Sequence, residues 1–522
     1  MSDSQSVVAF AALGLVLHQV YRRYEPTWQY FALSFPAVFY GYRRLPPLAA
    51  ATAELTALPA AAITIASIFA SMLAYPSYLS GNDYKKRKAL HDKYGPVVRV
   101  APNEVSINEL QAISVVLGAK SFPKDKYYRA RMAPGDAKAV ITLSGLQHTH
   151  RRRLWNRAFG TEQVSVYTEQ AKVGVQRLLR QMDAAIERGE TVDLTRWFRY
   201  YGFDFMGQIA FGKDFDLVES GSDPRGLVEI VTTFAAAIGW NANLWWIGRQ
   251  AWIAPWLMPK LFRMRKLAQG FCFERVQRTS TTIDLWHYLG HEDEKLQSDL
   301  KLQPLNFPNL AQEAVLTVIA GSDTSTTAMC SMMFFLLAHP HCYERALAEL
   351  DSVAEHGHEP WFSSEAHTQL PYLNACLDEA LRLLPVVPVN GPRAVPVGSG
   401  GIRIGEHFFP EGTEIYVSPY VFHSDERYFS PRTSEYCPER WIEPGWNTTR
   451  EAFIPFSAGP TQCVGKHIAR IEILMVLTAL MRHYKISFPE NYKPETFLGH
   501  VRENFVMEVP SLPVILVKRN KA

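Results

Sequence analysis

The chain has 522 residues, and 54 Lys plus Arg against 51 Asp plus Glu give a formal charge of +3. This near balance argues against a protein that binds nucleic acid through charge, and 47% apolar with 20% charged residues excludes a disordered chain. The 6 cysteines are scattered without a C-x-x-C pair, which excludes a disulfide scaffold and a paired-cysteine zinc site.

Residues 1–84 are predicted to form an N-terminal membrane anchor. Residues 4–21 and 26–42 carry no charged side chain, and residues 55–82 form a third uncharged stretch. A bilayer core takes roughly 20 apolar helical residues, so the third stretch is long enough to span it. Each of the first two fits either a span or an interfacial helix. Residues 85–88 are all basic, which favours the cytoplasmic side for the rest of the chain.

Residues 85–522 are predicted to form one domain that is mainly α with a small β region. The longest predicted helix covers residues 309–338, is apolar nearly all round and would be about 45 Å long. Two further helices are predicted at residues 373–384, which Pro385 ends, and at residues 464–484. Short β-like segments occupy residues 97–100, 104–107, 402–404 and 414–417.

A cysteine between two glycines lies directly before the last of these helices, in Phe456-Ser-Ala-Gly459-Pro-Thr-Gln-Cys463-Val-Gly465. Glycine permits backbone conformations and close approaches that a Cβ forbids. A helix N-terminus presents unpaired N–H groups and a positive dipole end, which favour a thiolate at Cys463. The alternative is that Cys463 is a small buried apolar side chain.

The middle of the longest predicted helix carries Ala320-Gly321-Ser-Asp323-Thr324. Asp323 and Thr324 are costly in an apolar core unless they are hydrogen-bonded. We expect Thr324 to donate to the carbonyl of Ala320 and, beside Gly321, to widen the helix. The alternative is a purely structural kink in a buried helix.

An acidic and a basic residue share one face of the second predicted helix. Glu379 and Arg382, at i and i+3, can form an ion pair. Most such pairs are solvated and contribute little to stability. Arg440, in the turn-rich stretch Pro438-Glu-Arg-Trp441, can complete a network with them.

These four elements, in this order along the chain, resemble the cytochrome P-450 (haem-thiolate monooxygenase) family and in particular its membrane-anchored fungal members. The likeness extends from about residue 85 to the C-terminus and implies that fold behind the anchor. It also implies haem b (iron protoporphyrin IX), with Cys463 as the iron ligand whose thiolate favours O–O cleavage. Phe456, Gly459 and Gly465 would contribute to the cofactor site.

The resemblance gives further roles to residues of the long helix and of the helix before it. Thr324 and Asp323 correspond to the pair that delivers protons, and Gly321 would line the oxygen pocket. In Gln147-His148-Thr-His-Arg-Arg152, the positions of His148 and Arg152 are those of the Trp-x-x-x-Arg that contacts the haem propionates in the family.

Other implied roles lie in the second half of the chain. Arg393 is a further propionate partner, and Glu379, Arg382 and Arg440 form the structural network that supports the haem-binding core. Thr461 departs from the family, which usually has Arg or His there, so a propionate contact is missing or replaced. Two basic neighbours of Arg152 are predicted to be solvated: Arg151 and Arg153.

The implied reaction is hydroxylation or epoxidation of a lipophilic small molecule, such as a terpenoid, polyketide or alkaloid of fungal secondary metabolism. The chain has no Gly-x-Gly-x-x-Gly after a strand and no phosphate loop, so its electrons must come from another protein. The family implies an NADPH-dependent flavoprotein reductase, with cytochrome b5 as an alternative donor. The expected location is the endoplasmic reticulum membrane, with the catalytic domain facing the cytoplasm.

Five tryptophans between residues 240 and 256 are predicted to roof the substrate pocket beside the membrane, with ordinary core packing as the alternative.

Two alternatives to the implied function stay open. The same fold can catalyse desaturation, ring closure or oxidative coupling without net oxygen insertion. A haem-binding membrane protein without turnover is the other, and the intact Asp323-Thr324 pair argues against it.

Overall fold

The structure, a computed structural model, describes residues 80–129, 137–243, 259–278, 283–290, 305–355 and 367–519. The first two predicted anchor segments, the third up to residue 79 and the side chains of the tryptophan group lie outside these residues. None of the helices in the described part of the chain combines the length and apolarity needed to cross a bilayer.

The chain is mainly helical, as predicted, with small sheets. The α-helices of the described residues are α1 (Asp83–Tyr94), α2 (Leu110–Ala112), α3 (Lys126–Arg129), α4 (Gly145–Ala158), α5 (Thr161–Glu187), α6 (Leu194–Phe211), α7 (Leu217–Ser220), α8 (Leu227–Asn243), α9 (Pro259–Gln277), α10 (Leu285–Leu289), α11 (Phe307–Ala338), α12 (Pro340–Glu355), α13 (Pro371–Leu383), α14 (Pro419–His423), α15 (Lys466–His483) and α16 (Glu495–His500).

The strands are short and form five small sheets. They are β1 (Val97–Ala101), β2 (Glu104–Ile107), β3 (Val192–Asp193), β4 (Arg393–Ala394), β5 (Ile402–Ile404), β6 (His407–Phe409), β7 (Glu414–Tyr416), β8 (Phe429–Ser430), β9 (Asn447–Thr448), β10 (Tyr484–Ser487), β11 (Arg502–Asn504), β12 (Val506–Glu508) and β13 (Pro513–Lys518). The largest sheet has the order β1-β2-β7-β4, with β2 and β7 parallel and the other two pairs antiparallel. All four predicted β segments are confirmed, as β1, β2, β5 and β7, and β4 is an edge strand of the largest sheet.

The predicted long helix is confirmed as α11, which begins two residues earlier than its sequence pattern indicates. The side chain of Asn306 accepts a hydrogen bond from the Asn309 N–H at 3.2 Å and so caps the first turn. Pro308 is tolerated there because the first N–H groups of a helix have no partner within it. The helix ends at Ala338, two residues before Pro340. Its second half is buried on all sides, so α11 forms the centre of the core.

α6 crosses α11 at close range because each helix has a glycine at the contact. A Cβ added at Gly202 on α6 would lie 3.0 Å from the Ser322 carbonyl oxygen on α11. A Cβ at Gly321 would overlap the Met206 side chain on α6. The two missing side chains therefore set the distance between the helices, and this packing fixes the rotation of α11 about its axis.

Candidate active site

A cavity of about 390 Å³ lies between the middle of α11 and the loop before α15. Most of its wall is apolar, and α11 contributes Val315, Leu316 and Ile319 to it. Cys463 and Thr324 are two of the polar residues in its wall, one from the loop before α15 and the other from α11. A large apolar cavity with a few converging polar groups is the usual form of a small-molecule site.

The loop that carries Cys463 is held in one conformation. Gly459 has φ +68°, and a Cβ there would overlap the carbonyl of Leu117, so glycine is required on both grounds. The Cys463 N–H donates to the Phe456 carbonyl at 2.9 Å. A Cβ at Gly465 would lie 4.0 Å from the Cys463 Sγ. Phe456 and Cys463 line the cavity, whereas the two glycines shape the loop behind it.

Cys463 is the one exposed cysteine of the six, and all six lie in the described residues. The protein around the thiol is dense enough that burial raises its pKa above the ordinary value. The Gly465 N–H, Arg152 and Lys466 act in the opposite direction but are weaker. The groups around the loop therefore lower the pKa of the Cys463 thiol, as expected, but burial raises that pKa by more.

Backbone strain is concentrated at the wall of the cavity. Five residues other than glycine have positive φ in the described chain, and three of them, Asn390, Ser457 and Phe505, line the cavity. Phe505 has φ +74° at the tip of the β11–β12 hairpin. Strained residues persist where the surrounding structure holds them, most often at functional sites.

Positive side chains gather at one end of the cavity. Arg393 on β4 is buried and donates from Nη2 to the Thr461 Oγ1 at 3.1 Å, while its Nε and Nη1 have no hydrogen-bond partner. Arg152 on α4 donates to the Gln462 carbonyl at 2.6 Å, directly beside Cys463. His148, one turn earlier, is buried, and its pKa falls to about 4 because of burial and the neighbouring cations. His148 is therefore neutral in this group.

Lys124 belongs to the same group and was not predicted. It lines the cavity with His148, Arg152 and Arg393. Burial, followed by repulsion from Arg393 and Arg152, lowers the pKa of its ammonium group well below the ordinary value. Lys124 lies among alternating charged residues in Phe122-Pro-Lys-Asp-Lys126, a pattern typical of an exposed turn, so the sequence held no signal for it.

The prediction that Arg151 is solvated is wrong. Arg151 forms an ion pair with Glu313 on α11, and the side chains are 11% and 0% exposed. The same carboxylate accepts from the Val140 N–H at 3.0 Å. Arg153 is exposed, as predicted. The Arg151 side chain reaches from α4 to α11, and its partner there is the Glu313 carboxylate.

Thr324 donates to the Ala320 carbonyl at 2.6 Å, as predicted. The helix nevertheless continues as a regular α-helix, so the expected widening does not occur. Gly321 is not among the residues of the described cavity wall, because the position of its Cβ faces Met206 on α6. Its place in the oxygen pocket stays a prediction. Ala320 and Thr324 face the cavity one turn apart, and Gly321 lies about 100° further round the helix.

Asp323 faces a second, smaller cavity. This cavity measures about 20 Å³, enough for one water molecule. Asp323, Arg199 and Glu508 lie in its wall, and burial, reinforced by Glu508 and opposed by Arg199, raises the pKa of Asp323 to about 6. The two cavities share a wall made of Ala235, Asn504 and Val506. Arg199 also lines a third cavity of about 260 Å³.

The predicted network around Glu379 forms and is fully buried. Its carboxylate accepts two hydrogen bonds from Arg382 at 2.8 Å and one from Arg440 at 2.9 Å. The Cys437 N–H and the Trp441 Nε1–H each donate to it at 3.0 Å. Both ion pairs are 0% exposed. The solvated alternative is excluded, and the network joins α13 to the loop that leads to Cys463.

Glu472 on α15 is another residue that the sequence did not single out. It is buried, and its Oε2 accepts from Ser325 Oγ at 2.9 Å. Burial raises its pKa to about 8, so the carboxyl group is protonated at neutral pH. This bond ties the helix after Cys463 to the residue after Thr324 and fixes the separation of the two cavity walls.

Comparison with known proteins gives a single family. The family model described as Cytochrome P450 matches residues 64–514. Cytochrome P450 67 of Uromyces fabae is 29% identical over 451 residues, which cover 83% of this chain and 81% of the relative. The trichothecene C-15 hydroxylase of Fusarium sporotrichioides is 29% identical, with 84% and 89% covered. The tryprostatin B 6-hydroxylase of Aspergillus fumigatus is 26% identical, with 84% and 77% covered.

Proposed function

Since this chain belongs to the cytochrome P450 family and is an oxidoreductase of the monooxygenase class, we propose that it hydroxylates or epoxidises a lipophilic small molecule of fungal secondary metabolism. The observation that carries the proposal is the position of Cys463 in the wall of a largely apolar cavity that Thr324 on α11 also lines. The names of two fungal relatives, a trichothecene and a tryprostatin hydroxylase, support the substrate class.

The residues of the cavity fit haem b. The exposed thiol of Cys463 is a suitable iron ligand, and no group of three His, Cys, Asp or Glu side chains in the described chain offers a rival metal site. Arg152 and the unpartnered N–H groups of Arg393 suit the two propionate carboxylates. Bound haem supplies the activation of dioxygen, for which the protein provides one thiolate ligand, an apolar chamber and a source of protons.

Protons can reach the cavity through α11. Arg199 lies between the 260 Å³ cavity and the water-sized cavity, in which Asp323 lies next to Glu508. Asp323 precedes Thr324, whose hydroxyl lies in the wall of the main cavity. A carboxyl group with a pKa of about 6 exchanges protons readily near neutral pH. We propose that Asp323 takes up protons from the small cavity and that Thr324 holds the hydrogen-bonded water that receives them.

Replacement of Thr324 by alanine should leave the cofactor bound but uncouple electron use from product formation. The Oγ that positions the proton-carrying water is lost, so we expect at least about a tenfold drop in product per NADPH and a matching rise in hydrogen peroxide. NADPH consumption, peroxide and product are measured together. Thr317→Ala is the control, because Thr317 makes the same bond to a helix carbonyl but lies outside the described wall. Equal coupling in the two variants would contradict the role of Thr324.

Replacement of Asp323 by asparagine should lower turnover by about a hundredfold, the contribution typical of a positioned proton-transfer group. The protonated acid is the donor, so the wild-type rate should decline as the pH rises through about 6. That decline should be absent from the variant. Asp204→Asn is the control: burial also raises the pKa of Asp204 to about 6, but this residue lies outside the three cavities. A decline that persists in Asp323→Asn would contradict the relay.

The partners and location are part of the same proposal. A membrane-bound, NADPH-dependent flavoprotein reductase is proposed as the electron donor, with cytochrome b5 as the alternative. Residues 1–84 are proposed to anchor the catalytic domain, residues 85–522, to the cytoplasmic face of the endoplasmic reticulum. Membrane fractionation of the full chain and of a chain lacking residues 1–80 tests the anchor, and release of only the shortened protein is expected.

The reaction itself is tested by expression beside a reductase in a host supplied with lipophilic terpenoid, polyketide and alkaloid precursors. A product heavier by one oxygen atom supports hydroxylation or epoxidation. A product lighter by two hydrogens identifies desaturation, ring closure or coupling instead. NADPH consumption without product from any class would contradict the proposed substrate range.

A further inference from the structure

Lys124 lies in the wall of the cavity beside two arginines. Three basic side chains, those of Lys124, Arg152 and Arg393, line one end of the cavity, and His148 among them is neutral. The described wall of the cavity contains no Asp or Glu, and Glu313, which acts on Lys124 from outside the wall, already forms an ion pair with Arg151. Like charges this close together are unfavourable unless an anion binds between them.

The main chain places Lys124 beside Arg393. The Ala394 N–H, directly after Arg393, donates to the carbonyl of Pro123, directly before Lys124, at 3.0 Å. The Lys124 N–H donates to Ser144 Oγ at 2.8 Å. These two bonds hold Lys124 between β4 and the start of α4, which carries Arg152.

The side chains of Lys124 and Arg393 also share one aromatic ring. The Lys124 Nζ lies 5.5 Å from the centre of the Tyr128 ring, and the Arg393 guanidinium lies 5.1 Å from the same centre. The Lys124 Nζ makes a long 3.5 Å contact with the Val140 carbonyl. An ammonium group has three N–H donors, and Lys124 lines the cavity, so it has donors available for an anion bound there.

Thr461 leaves the propionate end of the cavity with one positive charge fewer than an Arg or protonated His at that position would give. Arg393 donates to Thr461, and threonine adds no charge at a position where an Arg or His would. We propose that Lys124 supplies this missing charge and, with Arg152 and Arg393, binds the carboxylates of the porphyrin. This inference rests on the proposed function, because it requires haem in the cavity.

The test compares the rate of haem loss from the purified holoenzyme, measured by transfer to excess apomyoglobin. Lys124→Gln should lose haem about tenfold faster than wild type, or about 1.4 kcal/mol, and Lys124→Arg should stay near wild type. Lys120→Gln is the matched control, since Lys120 is exposed and lies four residues earlier. The double variant Lys124→Gln/Thr461→Arg should recover most of the lost affinity, because the charge returns on the other side of Arg393.

Two further measurements separate this role from a merely structural one. The reduction potential of Lys124→Gln should shift to more negative values, because a positive charge near the iron is removed. When the proteins are reconstituted with haem dimethyl ester, which has no carboxylates, wild type and Lys124→Gln should lose it at the same rate. A difference that persists with the ester would overturn the proposal.

Other outcomes bear on the sources of the anion. If Lys124→Gln retains haem as wild type does but binds lipophilic carboxylic acids more weakly, Lys124 binds a substrate carboxylate and the proposal is wrong. Failure of the proposed function would look different: the wild-type protein itself would lack the thiolate signature of the reduced, carbon-monoxide-bound form.

Discussion

Replacement of Cys463 by serine should abolish the thiolate signature in the absorption spectrum of the reduced, carbon-monoxide-bound protein. The serine hydroxyl is far less acidic than a thiol and does not give the electron-rich sulfur ligand on which dioxygen activation depends. Turnover should fall to about one-thousandth of wild type or less, as expected when a group in direct contact with the reacting centre is lost. Spectrum, haem content and turnover are measured on the same preparation.

Cys342→Ser is the matched control for this change. The Cys342 thiol lies 3.2 Å from the His341 Nε2, so a hydroxyl retains a polar partner there. We expect the control to keep the wild-type spectrum. A normal thiolate spectrum in Cys463→Ser would mean that another residue binds the iron, and loss of the signature in both variants would show that the spectrum reports general damage.

Replacement of Glu379 by glutamine should prevent the protein from accumulating in folded form. Five N–H donors point at this carboxylate, and two of them belong to buried arginines that would keep their charge without a counterion. Removal of one partner from a buried ion pair lowers the free energy of unfolding by about 3–5 kcal/mol. This is a large part of the ~5–15 kcal/mol that stabilises a typical protein. Soluble yield, haem content and urea unfolding measure the effect.

Glu443→Gln makes the same chemical change on the surface. Glu443 pairs with Arg345 at 2.9 Å, with both side chains more than two-fifths exposed, so its loss should cost about 1 kcal/mol or less. If Glu379→Gln unfolds within 1 kcal/mol of this control, the buried network is not a major source of stability.

The parts of the fold that follow from local chemistry were predictable. The bounds of α11 follow from Asn306 as a cap and from prolines at both ends, and its uniform apolarity indicates burial. The pairing of Glu379 with Arg382 follows from i,i+3 spacing. Burial of that pair did not follow, because it depends on the loop containing Arg440, which lies some sixty residues further along the chain.

The direction in which each residue of α11 points was not predictable from its spacing. Gly321, Asp323 and Thr324 lie within one turn, but contact with α6 at Met206 sets the rotation of the helix. Thr324 therefore faces the main cavity, Asp323 the small one and Gly321 the neighbouring helix. A sequence shows that these residues are close to one another but not that they divide between three environments.

Charged residues around the cavity were the least predictable. The sequence neighbours of Arg151 and Lys124 are those of surface residues, and the groups that contact them are distant in sequence. Arg151 pairs with Glu313, and the chain at Lys124 is hydrogen-bonded to the strand that carries Arg393. Only the tertiary contacts distinguish them from solvated neighbours such as Arg153.

The wall made of Ala235, Asn504 and Val506 separates the chamber for the organic ligand from the water-sized cavity beside Asp323. A larger side chain at any of these positions narrows both spaces at once. On the proposed role of Asp323, mutations at this wall that reshape the main cavity also change the small cavity beside the acid, so a gain in selectivity there should come with more peroxide per NADPH consumed. New selectivity can evolve at less cost at wall residues that the small cavity does not share, such as Val315, Leu316 and Ile319.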